Sequence, residues 1–197
     1  MKPSSLPTPQ ETRMPRCFWC TDDPLYIAYH DEEWGVPLWD EQRLFELLLL
    51  EGFQAGLSWI TVLKKRARYR EVLFGFDPQR LAQMSDTELD ERMLDPGIIR
   101  NRLKLKAARQ NAQAWLRLDD PVALLWSFVG GKPKVNHFAD RSEIPVTTEQ
   151  AEAMSKALKK AGFTFVGPTI CYAYMQAAGM VMDHTTDCDR YSVCSRG

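Results

Sequence analysis

The sequence lacks a surplus of positive charge: 25 lysines and arginines stand against 26 aspartates and glutamates among 197 residues, a formal net charge of −1. That excludes a globally basic nucleic-acid binder and leaves only local patches for any such contact. Long hydrophobic runs are missing too. Apolar stretches such as Leu47 to Leu50 fall far short of the ~20 residues a membrane span needs. Residues 1–16, MKPSSLPTPQETRMPR, hold four prolines and no apolar core of a signal peptide, so they read as a disordered leader. The cysteines are Cys17, Cys20, Cys171, Cys188 and Cys194, an odd number. A disulfide framework is therefore not expected, and reduced or metal-bound thiolates in a cytoplasmic chain fit better. Extended runs with strand character are also missing, because stretches such as Thr164-Phe165-Val166 are too short to build a sheet.

What is present is helical punctuation. Asp40 can cap a helix carrying Leu44, Phe45, Leu47, Leu48 and Leu49 that stops near Gly52. Ser58 can cap the next, which runs through Ile60, Val62, Leu63, Tyr69 and Val72 to a break at Gly75. Ser85-Asp86-Thr87-Glu88 and Thr147 to Gln150 have the form of capping boxes. A longer helix is expected from about Arg100 to Leu116, and a last apolar one from Ile170 to Ala178, closed by Gly179. The fold class is all-α, with 17–190 as a single domain and 191–197 as a flexible tail.

Three constellations carry chemistry. The first is Leu94-Asp95-Pro96-Gly97-Ile98-Ile99-Arg100, leading into a basic helix with Arg102 and Lys104. A Pro-Gly turn at a helix start offers free amides and a favourable dipole to an anion. Gly97 would let a phosphate approach, and Arg100, Arg102 and Lys104 would supply charge, the logic of a helix–hairpin–helix element gripping a DNA backbone. A solvated αα corner is the plainer reading of the same residues. A second basic run, Lys64 to Arg70, reads as a solvent-facing helix side.

The second constellation lies at both ends. His184 and Cys188 are spaced to face one metal, and Cys17, Cys20 and His30 lie near the other end. Four sulfur and nitrogen donors would make a closed zinc site that contributes to folding. Spacing allows either Cys17-x-x-Cys20 or Cys17 with His30 to complete it. His137, in a polar loop, reads as a surface side chain.

The third is Glu51-Gly52-Phe53-Gln54-Ala55-Gly56-Leu57-Ser58-Trp59, preceded by Trp19, Tyr26, Tyr29 and Trp34. A carboxylate at the end of a very apolar helix is costly unless it serves a polar partner. Aromatic faces with a buried acceptor are what a flipped-out base requires.

In order along the chain, Cys17-Phe18-Trp19, Asp23-Pro24-Leu25-Tyr26-Ile27-Ala28-Tyr29-His30-Asp31, Glu33-Trp34-Gly35-Val36-Pro37, Gln54-Ala55-Gly56-Leu57-Ser58-Trp59-Ile60-Thr61-Val62-Leu63, Gly97-Ile98-Ile99-Arg100, Thr169-Ile170-Cys171-Tyr172 and Asp183-His184 with Cys188 resemble the type I 3-methyladenine DNA glycosylases. The match runs from Cys17 to Cys188. The resemblance implies a helix–hairpin–helix glycosylase fold whose N- and C-terminal segments are tied by one structural zinc on Cys17, His30, His184 and Cys188, leaving Cys20 free. It implies that Glu51 hydrogen-bonds the excised base while Trp59 and Tyr29 stack on it. Tyr26, Trp19 and Trp34 would complete the wall, and Leu57, beside Gly56, would wedge into the gap. The implied activity is monofunctional hydrolysis of the N-glycosidic bond of 3-methyladenine in double-stranded DNA, by a monomer. A zinc-stabilised DNA-binding module without catalysis is the reading from another class.

Overall fold

The computed structural model describes residues 15–195, so most of the expected leader lies outside the described residues. Pro15 and Arg16 are held: Arg16 pairs with Asp31 through bonds of 2.7–3.0 Å.

The architecture is mostly helical. Its centre is α2 (Glu41–Gln54), capped where the sequence places the cap, with the Asp40 carboxylate accepting from the Arg43 amide at 2.8 Å. Leu44, Phe45, Leu48 and Leu49 along α2 are all buried. Truncating one such leucine to alanine would cost about 2–5 kcal/mol through lost contacts and an unfilled cavity. Around α2 pack α3 (Trp59–Leu63), α7 (Arg102–Trp115), α8 (Pro121–Ser127) and α10 (Pro168–Ala177). The capping box at Ser85 is formed and opens α6 (Asp86–Arg92). The second box shifts by one residue, with Thr148 capping α9 (Glu149–Lys160). Gly179, at φ 65°, follows α10 as expected. Among the described residues no helix is long and apolar enough to cross a membrane.

The structure departs from the sequence expectations in several places. The single helix expected from Ser58 is two, α3 and α4 (Arg66–Val72), separated by a turn at Lys64 and Lys65. The Ser58 hydroxyl bonds the Thr61 hydroxyl and caps no amide. One small sheet forms among the described residues, in which β1 (Lys134–Val135) pairs in parallel with β2 (Val181–Met182). Two residues per strand are too few to leave a period-two signal. Residues 191–194 do not continue as a tail: Tyr191–Cys194 is a short helix, α11, with Cys194 buried.

Helix α1 (Pro24–Glu32) carries Tyr26, Tyr29 and His30 on its buried side. Tyr26 and Tyr29 face α2 and α3, while His30 turns toward the end of the chain. One helix therefore serves two sites.

Candidate active site and metal centre

At the open side of α2 lies a cavity of about 280 Å³. Trp19, Tyr26, Tyr29, Trp34, Glu51 and Trp59 all line it, so the six residues singled out in sequence do share one space. Tyr29 and Trp59 rings meet at 5.3 Å, and Trp19 lies 5.1 Å from Tyr26 and 5.0 Å from Trp34. The α2–α3 turn that brings Glu51 and Trp59 together passes through Gly56 at φ 77°, a left-handed conformation that glycine adopts without strain.

Glu51 is buried, and desolvation pushes its carboxyl up to about 8. Among the described residues its Oε2 has no hydrogen-bond partner, and neither has the buried Nε1 of Trp59. Both atoms belong to residues that line the cavity. Two unsatisfied polar groups cost about 1–3 kcal/mol each unless something in the cavity satisfies them. Burial, then the nearby Glu51, holds the Tyr29 phenol well above its usual value, so it remains a neutral donor.

Sequence reading missed other lining residues. Gln54 and Thr169 line the cavity, as do Tyr172 and Gln176 on α10, and Ile144, Pro145 and Val146 form a rim with the half-exposed Phe18. Tyr172 and Gln176 share one face of α10 at i, i+4 spacing, a signal present in sequence but without a partner there to give it meaning.

Behind the cavity, Cys17, His30, His184 and Cys188 are buried together, their donor atoms all within 4.8 Å of one another. Cys17 Sγ lies 3.4 Å from His184 Nδ1, and Cys188 Sγ lies 3.4 Å from His30 Nε2 and 3.5 Å from His184 Nδ1. Hydrogen bonding between the two thiols pushes Cys17 up and Cys188 down. Each imidazole is turned by its other nitrogen. His30 Nδ1 sits 2.7 Å from Asp31 Oδ1, and His184 Nε2 sits 3.0 Å from the Trp34 carbonyl oxygen. Cys20 stands outside the cluster, its thiol near the Thr21 and Tyr26 carbonyls. His137 is bonded to the Tyr191 hydroxyl at the surface and takes no part.

The hairpin between α6 and α7 needs two corrections. Lys104 is buried, and its ammonium donates to the carbonyls of Phe53 and Ala55 at 2.7 Å each, where the last turn of α2 leaves acceptors unpaired. It does not face solvent with Arg100 and Arg102. Gly97 does not leave open room on its Cβ side, because a Cβ there would meet Arg68 Cγ at 2.7 Å, and its amide already donates to Asp95 Oδ1 at 2.7 Å. Arg100 is exposed, and Arg102, also exposed, pairs with Asp90. Leu57 is 40% exposed next to Gly56, at the lip of the α2–α3 turn. The second basic run is largely neutralised by its neighbours: Lys64 with Asp23, Arg66 with Glu33, Arg68 with Asp95 and Arg70 with Glu46.

The profile of a family described as methyladenine glycosylase matches residues 19–191. A curated protein of Escherichia coli (strain K12), DNA-3-methyladenine glycosylase 1, is 52% identical over 182 residues, covering 90% of this chain and 97% of that one. Among solved structures, a 3-methyladenine DNA glycosylase I superposes with a TM-score of 0.88 at 51% identity, covering 89% of this chain and 98% of that one. A single-site variant of such an enzyme, solved in complex with 3-methyladenine, gives 0.85 at 39% identity, covering 88% and 96%.

Proposed function

Because this chain belongs to the methyladenine glycosylase family, we propose that its aromatic cavity receives 3-methyladenine flipped out of duplex DNA and that the enzyme hydrolyses the bond joining that base to its sugar. The observation that carries the reading is the Oε2 of Glu51, which is buried and, like Trp59 Nε1, without a partner among the described residues, in a cavity that both residues line with aromatic rings around them.

Methylation at N3 leaves the base cationic, so the glycosidic bond is already weak and the departing base becomes neutral. The site then has little need of a strong general acid. Its contribution is differential binding: rings of Trp59 and Tyr29 stack on the base, their π faces attract a cation, and Glu51 accepts from the base edge. A cation entering this cavity also favours the ionised form of Glu51, which burial alone disfavours. The electron pair of the broken bond goes to the base, which leaves neutral; water adds at the sugar C1′ and gives up its extra proton to solvent, leaving a C1′ hydroxyl. Tyr26, Trp19 and Trp34, whose rings pack on one another, complete the wall.

On the DNA side, the α6–hairpin–α7 unit is read as a helix–hairpin–helix element with Arg100 and Arg102 toward the phosphates. Gly56 and Leu57 are read as the wedge at the vacated position. The domain spans Cys17 to the last described helix and is read as acting as a monomer.

The cluster at the chain ends fits zinc. Zinc–sulfur and zinc–nitrogen bonds of about 2.3 and 2.05 Å at a tetrahedral angle put neighbouring S and N donors about 3.6 Å apart. The S···N separations of 3.4–3.5 Å are close to that edge. Asp31 and the Trp34 carbonyl supply the outer partners that metal-bound imidazoles usually have. With four protein donors no position is left for water, so the metal would serve folding rather than the reaction.

Incubating the protein with methylated duplex DNA and identifying released bases by chromatography tests the proposal. Release of 3-methyladenine that falls at least about a hundredfold in Glu51→Gln supports it. Duplex binding that ignores methylation, with no free base released, would replace it with the reading as a non-catalytic DNA-binding module.

A further inference from the structure

Asp183, at the end of β2 and just before His184, is 1% exposed. The β1–β2 register brings Asn136 beside it, and Asn136 Nδ2 donates to Asp183 Oδ1 at 2.7 Å. The other oxygen, Oδ2, accepts from the Tyr172 hydroxyl at 2.5 Å and from Gln176 Nε2 at 2.8 Å. Both donors line the cavity that holds Glu51.

This arrangement fixes which ends of Tyr172 and Gln176 are left over. A hydroxyl has one proton, and Tyr172 spends it on Asp183, so its oxygen retains only lone pairs. An amide that turns its NH₂ to a carboxylate keeps its carbonyl Oε1 for any other contact. We propose that Asp183 is a positioning residue that turns the acceptor atoms of Tyr172 and Gln176, rather than the donors it holds, toward the cavity, and so favours a purine presenting an amino edge over one presenting a carbonyl. The inference rests on the reading of the cavity as the base site. Asp183 also holds its carboxylate with these three neutral side-chain donors, which leaves a negative charge beside a cavity proposed to receive a cation.

Replacing Asp183 by leucine removes the acceptor, so the Tyr172 hydroxyl and the Gln176 NH₂ are no longer held away from the cavity and can donate into it. Asp183→Asn is the conservative variant: its oxygen can stay on Tyr172 and Gln176 while its NH₂ faces Asn136, whose amide reverses.

The test titrates free 3-methyladenine and free 3-methylguanine into each protein by tryptophan fluorescence, with zinc content and melting temperature measured on the same samples. The expected result is that Asp183→Leu weakens 3-methyladenine binding at least about tenfold while leaving 3-methylguanine unchanged or tighter, and that Asp183→Asn retains most of the ratio. A role confined to holding the fold would lower both affinities together, with loss of metal or melting temperature, and that result overturns the proposal. If Asp183→Leu does not fold, Gln176→Met removes the Gln176 acceptor and leaves Asp183 its bonds to Tyr172 and Asn136. It should lower the same ratio about tenfold at unchanged melting temperature, and an unchanged ratio overturns the proposal. A parent protein that binds neither base would instead refute the base-site reading beneath it.

Discussion

Glu51 Oε2 and Trp59 Nε1 flank the Gly56 turn, and each is a buried polar atom that the described residues leave unsatisfied. An acceptor and a donor, held on separate helices and lining one cavity, mark it as a place completed by a ligand.

That relationship should appear as a conflict between stability and activity at Glu51. Burial raises its carboxyl to about 8, so between pH ~4.5 and ~8 the unfolded chain gives up a proton that the native state keeps. The native state then binds more protons, and stability falls as pH rises through that window. The whole span costs on the order of 4–5 kcal/mol. Glu51→Gln removes this cost. Its melting temperature should match the parent near pH 4 and exceed it by several degrees at pH 8, while excision falls at least about a hundredfold. Parallel melting curves across that range would show that Glu51 is not carrying the burden.

Trp59 should contribute through its face as well as its N–H. Base–aromatic stacking is worth about 1–3 kcal/mol. Trp59→Ala is therefore expected to weaken binding of free 3-methyladenine about 10- to 100-fold, and Trp59→Phe by clearly less. Equal losses in equilibrium binding for the two variants would assign the effect to the indole N–H alone.

The cluster of Cys17, His30, His184 and Cys188 makes a third prediction, read by metal analysis and calorimetry. The parent should hold about one zinc per chain. His184→Ala should lose it and melt at least about 10 °C lower, as should the parent after chelation. Cys20→Ser, which removes a thiol outside the cluster, should retain the metal and melt within about 1–2 °C of the parent. Loss of metal in that variant would reinstate the Cys17-x-x-Cys20 pairing.

Arg100 and Lys104 should separate cleanly. Arg100→Ala is expected to weaken duplex binding irrespective of sequence, reduce the slope of log affinity against log salt by about 0.9, and leave stability within about 0.5 kcal/mol. Lys104→Met should leave the salt slope unchanged and cost about 2–3 kcal/mol of stability, because it orphans two carbonyls at the end of α2. A salt slope that falls with Lys104→Met would put its ammonium on the DNA after all.

How far these residues could be read in sequence depends on the range of the forces involved. The caps at Asp40 and Ser85 are legible because hydroxyl or carboxylate and target amide lie three residues apart. The cavity aromatics and the clustered cysteines and histidines are legible as types, and the resemblance gave their grouping. Lys104 reads as a surface cation because three residues of pattern say nothing of the α2 end packed against it. The turn at Lys64 and Lys65 carries neither glycine nor proline and so leaves no local mark. Asp183 is invisible as an organising group for the same reason: its donors come from β1 and α10, brought to it only by the folded chain.

The Asp189 amide donates to the Pro15 carbonyl at 3.1 Å, next to the cluster that gathers Cys17 with Cys188. A metal held there makes nearly the whole described chain a single ring in the topological sense. Such a clip acts on the denatured ensemble as well as on the native one, because a closed chain has fewer random conformations to gain on melting. For a loop beyond about 100 residues that restriction approaches 5 kcal/mol and grows only logarithmically with length. It also means that the covalent order of the helices is not essential near the clip. A circularly permuted chain, joined by a linker that starts beyond α11 and returns to Pro15, and opened in the turn before Asp120, should still gather its four donors and fold around the same cavity.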